Sequence, residues 1–318
     1  MKPAPFAYVR PGTLDGVLAE LAGEDAKVLA GGQSLVPVLA MRLGAPSTLV
    51  DVTAVPELGG FGLVGRAAED VAGRSGPDAA RAGAAPAGGG GRPAGGGGAR
   101  AGGGAARAGD GGAGGRVLRI GAAVRQRAVE RSALSRAVPL LGMALPFVGH
   151  RELRSRGTVC GSLAHADPAA ELPAVAACLD AVMEIAGPSG RRRVRVDEFF
   201  AGFMTTALAE DEVLVAVELP LAGPGEGFGF AEIARRHGDF ALAGVATRVR
   251  IDAAGAVDEA RLAAFGVSDR PRTWDVTALL ADVAVPTEPT EPTEPTEPTE
   301  PTAELALREA LGDVVDAL

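Results

Sequence analysis

The pattern of hydrophobic and polar positions divides the chain into a mixed first part and a strand-rich second part. In the first part it predicts strands at Ala26–Ala30, Thr48–Asp51 and Val117–Ile120, with helices at Thr13–Leu21, Leu35–Met41, Arg125–Ser132 and Ala133–Leu141. It then predicts a helix at Asp167–Leu179 and strands at Ala181–Ile185, Val213–Leu219, Gly229–Ala234, Ala243–Ile251 and Ala260–Val267. Because apolar residues alternate in the last four strands, we expect them to form an antiparallel sheet.

Two segments interrupt this pattern with low-complexity sequence. Residues 66–115 are nearly all Gly, Ala, Arg and Pro, and they cannot bury enough apolar surface to offset their ordering entropy. They separate Leu63-Val64 from Val117-Leu118, so we expect a disordered insertion in a strand-to-strand connection. Such a loop costs only roughly 2 kcal/mol more to close than a four-residue turn. Residues 284–302 carry a Pro-Thr-Glu repeat typical of a semi-rigid linker, and a terminal helix is expected at 303–318.

Composition and charge exclude several classes of protein. The net charge of −9 and the pI near 5.0 argue against a surface that binds nucleic acid. The one dense basic run, Arg191–Arg193 with Arg195, is flanked by a turn and by acidic residues, which favours a solvated strand edge or a partner contact. Two cysteines cannot hold an iron–sulfur cluster or a structural zinc. The sequence has no signal-peptide pattern and no transmembrane segment, so we expect a soluble, cytoplasmic protein.

The first segment with candidate chemistry follows the strand predicted at Ala26–Ala30. Gly31 and Gly32 come next, and Ser34 stands where it can cap the helix after it. Paired glycines let backbone N–H groups approach a phosphate closely, and the N-terminus of a helix favours an anion. An ordinary turn between a strand and a helix explains this segment equally well.

The second segment, Gly157–Ser162, is again a turn of small and hydroxyl residues, and Asp167 and Glu171 follow it. Two such turns, about 130 residues apart, suit a diphosphate held from two sides, while Asp167 suits a sugar hydroxyl or a plain helix N-cap. The G-x-G-x-x-G match at 109–114 follows no strand and precedes no helix, so we reject it as a dinucleotide fingerprint. The three histidines have no metal-like spacing, and no metal site is expected.

These segments resemble landmarks of a known family. The run Ala30–Pro37 resembles the first flavin loop of the FAD-binding medium subunit in the carbon monoxide dehydrogenase and xanthine dehydrogenase family of molybdenum hydroxylases. Gly157–Pro173 is similar to the second flavin loop. Asp197–Phe200 and Arg235–Ala241 match two further landmarks in the same order. The resemblance covers roughly residues 4–64 and 116–280.

The resemblance implies an α+β fold. Its first part would be a two-lobed FAD-binding domain of the vanillyl-alcohol-oxidase or p-cresol-methylhydroxylase type, and its second a small α+β C-terminal domain. On this basis we expect the FAD-binding domain at 1–185, with the insertion at 66–115, and the C-terminal domain at 186–283. The linker at 284–302 and the terminal helix at 303–318 complete the chain.

The resemblance also places an FAD between the two lobes, where the two loops would hold its pyrophosphate and Glu171 would be an acidic ligand. The expected cofactor-binding residues are Ala30, Gly31, Gly32, Gln33, Ser34, Thr158, Cys160, Gly161, Ser162, Asp167 and Glu171. No catalytic residue is expected, because in such enzymes a separate large subunit holds the molybdenum cofactor and oxidises the substrate.

The implied function is electron transfer within a complex. A small [2Fe–2S] subunit would pass electrons to the FAD, which delivers them to an external acceptor. The chain would then be an FAD-dependent oxidoreductase subunit that is active only with its molybdopterin-containing large subunit and its [2Fe–2S] small subunit, in a dimer of heterotrimers. Two alternatives stay open: a stand-alone FAD-dependent oxidase or dehydrogenase, and a flavin-free assembly module on the same fold.

The sequence departs from the pattern of the family in three ways. Cys160 stands where many relatives have a glycine, and its Cβ would cost roughly 1–2 kcal/mol if that position required a positive φ. Glu232 falls near a position that is often Lys, which predicts a change in the redox properties of the flavin. The chain also ends early, at Leu318, which predicts an abbreviated C-terminal domain.

Overall fold

The first layer of the molecule is a three-stranded parallel sheet with two helices. The structure, a computed structural model, describes residues 2–65 and 115–280, so the predictions for the Gly-rich insertion, the Pro-Thr-Glu linker and the terminal helix lie outside the described residues. The elements of this layer are β1 (Ala7–Val9), α1 (Leu14–Leu21), β2 (Ala26–Leu29), α2 (Leu35–Ala40) and β3 (Thr48–Asp51). The strand order is β1-β3-β2, with both pairs parallel.

Helix α1 shows how the local sequence sets an element of this layer. The Thr13 hydroxyl accepts a hydrogen bond from the Gly16 N–H at 3.1 Å and caps the helix. Leu14, Val17 and Leu21 recur at helical spacing and are all buried. The predicted helix therefore forms where its cap and its apolar stripe coincide.

A five-stranded sheet forms the second layer, with strand order β4-β5-β10-β6-β7 and every neighbouring pair antiparallel. Strands β4 and β5 pair directly across the Gly-rich insertion, as predicted for a strand-to-strand connection. The elements in this part of the chain are β4 (Phe61–Gly65), β5 (Arg116–Gly121), α3 (Gln126–Arg131), α4 (Pro139–Ala144), α5 (Arg151–Arg156), α6 (Val159–His165), α7 (Glu171–Cys178), β6 (Val182–Gly187), β7 (Gly190–Arg195), α8 (Val196–Phe199), β8 (Phe200–Gly202), β9 (Thr205–Thr206) and β10 (Val213–Pro220).

The position of β10 differs from the prediction. We expected Val213–Leu219 to pair with the later strands, but β10 lies in the middle of the five-stranded sheet, between β5 and β6. All its residues from Val213 to Leu219 are buried, since it is a central strand. This sheet therefore extends past residue 185, where the first domain was expected to end.

The basic run forms β7, at an edge of the same sheet, as predicted. Two of its arginines are paired with carboxylates of the same sheet and its flank: Arg192 with Glu212 at 2.6 Å, and Arg193 with Glu184 and Glu218. These pairs occupy two of the guanidinium groups that a polyanion would need.

The third layer is a four-stranded antiparallel sheet with sequential strand order. Phe230 and Phe265 stack on its inner face with ring centroids 5.7 Å apart. Gly244 lies opposite Phe265, and a Cβ there would overlap the Phe265 ring. The strands are β11 (Glu226–Ala234), β12 (Ala241–Ile251), β13 (Val257–Phe265) and β14 (Arg272–Asp275).

Helix α7 lies at the centre of the molecule, and each of its residues is buried. It packs against β12 and β13 on one side and against α4 and α6 on the other. A helix that is apolar all round needs such cover. It begins at Glu171, not at Asp167 as predicted, because the Asp167 carboxylate accepts from the Ala169 N–H at 2.9 Å and closes a separate turn. None of the helices described is long and apolar enough to cross a membrane.

Candidate functional site

The first predicted loop, residues 30–34, connects β2 to α2. Gly32 has a φ of +72°, in the region that favours glycine. The side-chain amide of Gln33 donates to the Gly31 carbonyl at 2.9 Å and braces the loop. Ser34 precedes α2, but its hydroxyl does not cap that helix and is left for another partner.

The second loop joins α5 to α6, two short helices that the sequence pattern did not predict. Thr158 is the N-cap of α6, and its hydroxyl accepts from the Gly161 N–H at 3.0 Å. A Cβ on Gly161 would lie 2.7 Å from the Thr158 hydroxyl oxygen, so the tight cap requires glycine there. Ser162 follows in the first turn of α6.

The structure brings the two loops into direct contact. A Cβ on Gly31 would lie 2.6 Å from the Gly157 Cα and would also overlap the Arg156 carbonyl. The loops can meet at this distance only because residue 31 has no side chain. Ala30 lies close to Gly161 on the same side, since its Cβ is 3.4 Å from where a Gly161 Cβ would be.

Backbone N–H groups are available where the loops meet. Within the described part of the chain, the N–H groups of Gly32, Gln33 and Ser34 donate to no protein acceptor. Backbone donors next to a strand-to-helix turn make a concavity that suits an anion. The arrangement can therefore hold a phosphate without a charged side chain from either loop.

Cys160 replaces a glycine of the family pattern but does not have a positive φ. It lies in the first turn of α6, outside the residues with left-handed backbone, so its Cβ brings no strain of that kind. Its thiol is buried, with Sγ 3.4 Å from the Ile120 carbonyl oxygen. Only the backbone of Cys160 faces the loop.

The acidic residues after the second loop have different surroundings. Asp167 is bound to the turn described above, and Glu171 is the first residue of α7 with only 6% of its surface exposed. Burial raises the pKa of the Glu171 carboxyl to about 7, and the nearby Glu232 and Asp167 add to the rise. A protein does not normally hold an acid in such a place without a ligand or a partner for it.

Glu232 comes from β11 and faces the same region. Its Oε2 atom is buried and has no hydrogen-bond partner in the residues described. Burial raises the pKa of this carboxyl as well. Since the two carboxyls belong to elements 61 residues apart, from 171 to 232, no local pattern predicts that they interact.

Two of the three histidines lie in segments that contact each other. A Cβ on Gly238 would lie 2.7 Å from the His150 Cε1 atom, and the neighbouring His237 packs edge-on to Phe147 at 6.2 Å. Across residues 2–65 and 115–280, no group of three or more His, Cys, Asp or Glu side chains is arranged to hold a metal ion.

Arg125 is a residue of the site that the sequence analysis missed. Its backbone bridges to Thr158, and the adjacent Gln126 N–H donates to the Gly157 carbonyl at 2.9 Å. Its guanidinium donates to the Arg156 carbonyl, the group that Gly31 approaches on the other loop. The pairing joins segments 33 residues apart, from 125 to 158, and no local pattern reveals it.

Comparisons with known proteins agree on one family. A family model described as the FAD binding domain in molybdopterin dehydrogenase matches residues 4–67 and 112–222. The alpha subunit of the 6-hydroxypseudooxynicotine dehydrogenase complex of Paenarthrobacter nicotinovorans is 33% identical, over 84% of this chain and 74% of that protein. Caffeine dehydrogenase subunit beta of Pseudomonas sp. strain CBB1 is 31% identical, over 85% and 76%. A chain of carbon monoxide dehydrogenase from Hydrogenophaga pseudoflava matches in structure with a TM-score of 0.68 and 27% identity, over 98% of this chain and 94% of that one.

Proposed function

Because the chain belongs to the family of FAD-binding domains of molybdopterin dehydrogenases, we propose that it is the electron-transfer subunit of a molybdenum hydroxylase. It takes electrons from a [2Fe–2S] subunit and passes them to an external acceptor. The observation that carries this proposal is the contact between the two glycine loops, which come from distant parts of the chain and meet at Gly31 and Gly157. No catalytic or metal-binding residue is assigned to this chain.

The residues present fit an FAD on two counts. The unused N–H groups of Gly32, Gln33 and Ser34 are donors that a pyrophosphate accepts from. The buried Oε2 atom of Glu232 lacks a donor, which a hydroxyl or an N–H of the cofactor supplies. The proposed cofactor-binding residues are Ala30, Gly31, Gly32, Gln33, Ser34, Thr158, Cys160, Gly161, Ser162, Asp167 and Glu171.

Each loop contributes differently to binding. The first loop donates backbone hydrogen bonds, and the free hydroxyl of Ser34 adds a side-chain donor. In the second loop Thr158 already accepts from Gly161, so its hydroxyl hydrogen is left to donate to an anion. Cys160 contributes its backbone alone.

The acidic residues contact different parts of the cofactor: Asp167 suits a hydroxyl of its sugar part, Glu171 is a further acidic ligand, and Glu232 acts on the flavin. Glu171 is a buried acceptor, Glu232 is half-buried with a buried Oε2 atom, and Asp167 lies at the turn that leads to α7. When bound, FAD supplies reversible redox chemistry of one or two electrons. The protein supplies the position and the surroundings that tune it, and an acidic Glu232 in place of the more common lysine lowers the tendency of the flavin to hold negative charge.

The proposed assembly follows the similar proteins, which are named as subunits or chains of dehydrogenases. We place this chain beside a molybdopterin-containing large subunit and a [2Fe–2S] small subunit, in a dimer of heterotrimers. We propose the two-lobed vanillyl-alcohol-oxidase-type fold for the FAD-binding part and, in place of the boundary expected at 185, an end near residue 222, where the family match ends. The small C-terminal domain then begins at β11.

The flavin-free alternative assumed that backbone strain at Cys160 weakens the binding of FAD. Cys160 has a helical backbone with no positive φ, so this argument no longer applies. The stand-alone oxidase remains a distinct outcome of experiment. No side chain of the described site combines a reactive group with a base beside it, so we expect no substrate oxidation by the isolated chain.

Two measurements on the full-length protein test this function. Denaturation should release one non-covalently bound FAD per chain, identified by chromatography against FMN and riboflavin standards. In an anaerobic assay, the isolated flavoprotein is mixed with CO, purines, aldehydes and N-heterocycles while its visible flavin band is followed. The band should persist with each of them and bleach only after the large and small subunits are added. Rapid bleaching by one substrate without partners identifies a stand-alone oxidase instead.

A further inference from the structure

Arg125 lies where the two glycine loops meet. Its backbone pairs with Thr158, and its guanidinium donates to the Arg156 carbonyl. A Cβ on Gly31 would overlap the same carbonyl. The guanidinium therefore binds a group that is next to Gly31 of the first loop and directly precedes Gly157 of the second. No residue of either predicted loop brings a positive charge to this position.

The charge of Arg125 is not neutralised within the described residues, where it forms no ion pair. Asp51 is near enough to act on it, but the Asp51 carboxylate is bound to Tyr8, Thr53 and Arg10. Burial lowers the pKa of Arg125, and the neighbouring Arg156 and Arg10 lower it further. Arg10, Arg125 and Arg156 thus lie close together, and Asp51 is the carboxylate that acts on Arg125. The charge near Arg125 is therefore positive, although the chain as a whole carries −9.

A half-buried cation without a carboxylate partner is unfavourable unless an anion binds there. The N–H groups of Gly32, Gln33 and Ser34 also have no acceptor among the described residues, and such backbone donors suit an anion. Arginine binds phosphate oxygens through two parallel N–H groups, which a lysine cannot do. The two features therefore call for the same ligand group.

We propose that Arg125 is a pyrophosphate-binding residue of the cofactor site and supplies the positive charge that the glycine loops lack. This inference rests on the proposed binding of FAD. A purely structural residue would stabilise the protein without cofactor. Arg125 instead increases the affinity for the anion and destabilises the protein when no anion is bound.

The test uses three full-length variants, Arg125→Gln, Arg125→Lys and Arg131→Gln. Arg131 is a matched control, since it is exposed in the last turn of the helix that Arg125 caps and forms no ion pair among the residues described. FAD is titrated into each apoprotein by flavin fluorescence at several salt concentrations, and the melting temperature of each apoprotein is measured.

Loss of charge-assisted hydrogen bonds should weaken FAD binding by Arg125→Gln roughly 10- to 100-fold. Its dissociation constant should depend less on salt than that of the parent protein. Arg125→Lys should recover part of the affinity, and Arg131→Gln should bind like the parent. The melting temperature of the Arg125→Gln apoprotein should not fall, because an unpaired cation has been removed.

Other outcomes overturn the inference. Unchanged affinity in Arg125→Gln shows that this residue does not contact the cofactor. A weaker affinity with unchanged salt dependence and a lower melting temperature shows that it only supports the Arg156 carbonyl. If the parent apoprotein binds no FAD, the proposed function fails, and this inference fails with it.

Discussion

Replacing Glu171 by Gln should stabilise the protein without cofactor, and more so as the pH rises. Burial holds the pKa of this carboxyl at about 7 in the folded protein, against 4.5 for an ordinary Glu. Between these values the unfolded chain has released the proton and the folded chain has not, so the free energy of unfolding falls as the pH rises. This loss of free energy of unfolding is complete above about pH 7 and absent below about pH 4.5.

The magnitude follows from the size of the shift. One pKa unit corresponds to roughly 1.4 kcal/mol. Holding this carboxyl in its buried position therefore costs about 3 kcal/mol at pH 8 and about 1 kcal/mol at pH 5. Gln has nearly the same shape and no charge, so Glu171→Gln should recover most of this cost.

Urea unfolding of the apoproteins at pH 8 and pH 5 measures the effect. Glu171→Gln should gain about 3 kcal/mol at pH 8 and about 1 kcal/mol at pH 5, while its affinity for FAD falls because a charged acceptor is lost. A matched control is Glu130→Gln. Although burial raises the pKa of Glu130, its hydrogen bonds to Arg154 and Arg127 lower it overall, so this variant should lose stability at pH 8.

The reasoning is refuted if Glu171→Gln is less stable than the parent at pH 8. It is refuted equally if the gain is the same at both pH values, because the effect would then not come from ionisation. A gain in Glu130→Gln at pH 8 would show that removal of any buried carboxylate stabilises this protein.

Further variants test the two loops and the insertion. Gly32→Val should abolish FAD retention while Gly12→Val, whose Cβ would meet nothing within 4 Å, retains it; equal occupancy by absorbance would exclude the first loop as the pyrophosphate site. Gly31→Ala should lose both FAD and several degrees of melting temperature, since its Cβ forces the loops apart, and an unchanged melting curve would contradict the contact. Deleting residues 67–114 should leave FAD content unchanged and keep or slightly raise the melting temperature; loss of soluble protein would show that the segment contributes to folding.

Local sequence patterns predicted the elements that depend on near neighbours. The strand at Thr48–Asp51 is found at its predicted bounds, and helix α1 begins at Leu14, one residue after its predicted start at Thr13. The first loop was recognised because a strand, small residues and a helix follow one another along the chain, and the second because small and hydroxyl residues stand close together. Motifs of this kind can be read from residues that are near one another in the sequence.

What the sequence did not reveal depends on contacts between distant segments. The hydrophobic pattern of β10 predicted a strand but not the strands with which it pairs. Its place between β5 and β6 was therefore missed. The backbone angle of Cys160, the pairing of Arg125 with Thr158 and the approach of Glu232 to Glu171 are also tertiary. Each of them alters the charge or the shape of the candidate site.

The central helix α7 has a consequence for how this polypeptide can be divided. Ala174 packs against Ala241 and Phe265 of the C-terminal sheet, and the Gly266 N–H donates to the Pro168 carbonyl just before the helix. A fragment ending at residue 222 would contain both glycine loops and the whole family match, yet one flank of α7 would be bare. The boundary that a domain architecture suggests is therefore not a point of independent folding. Expression of the cofactor-binding part alone requires polar replacements on that flank, or the C-terminal sheet supplied as a second polypeptide.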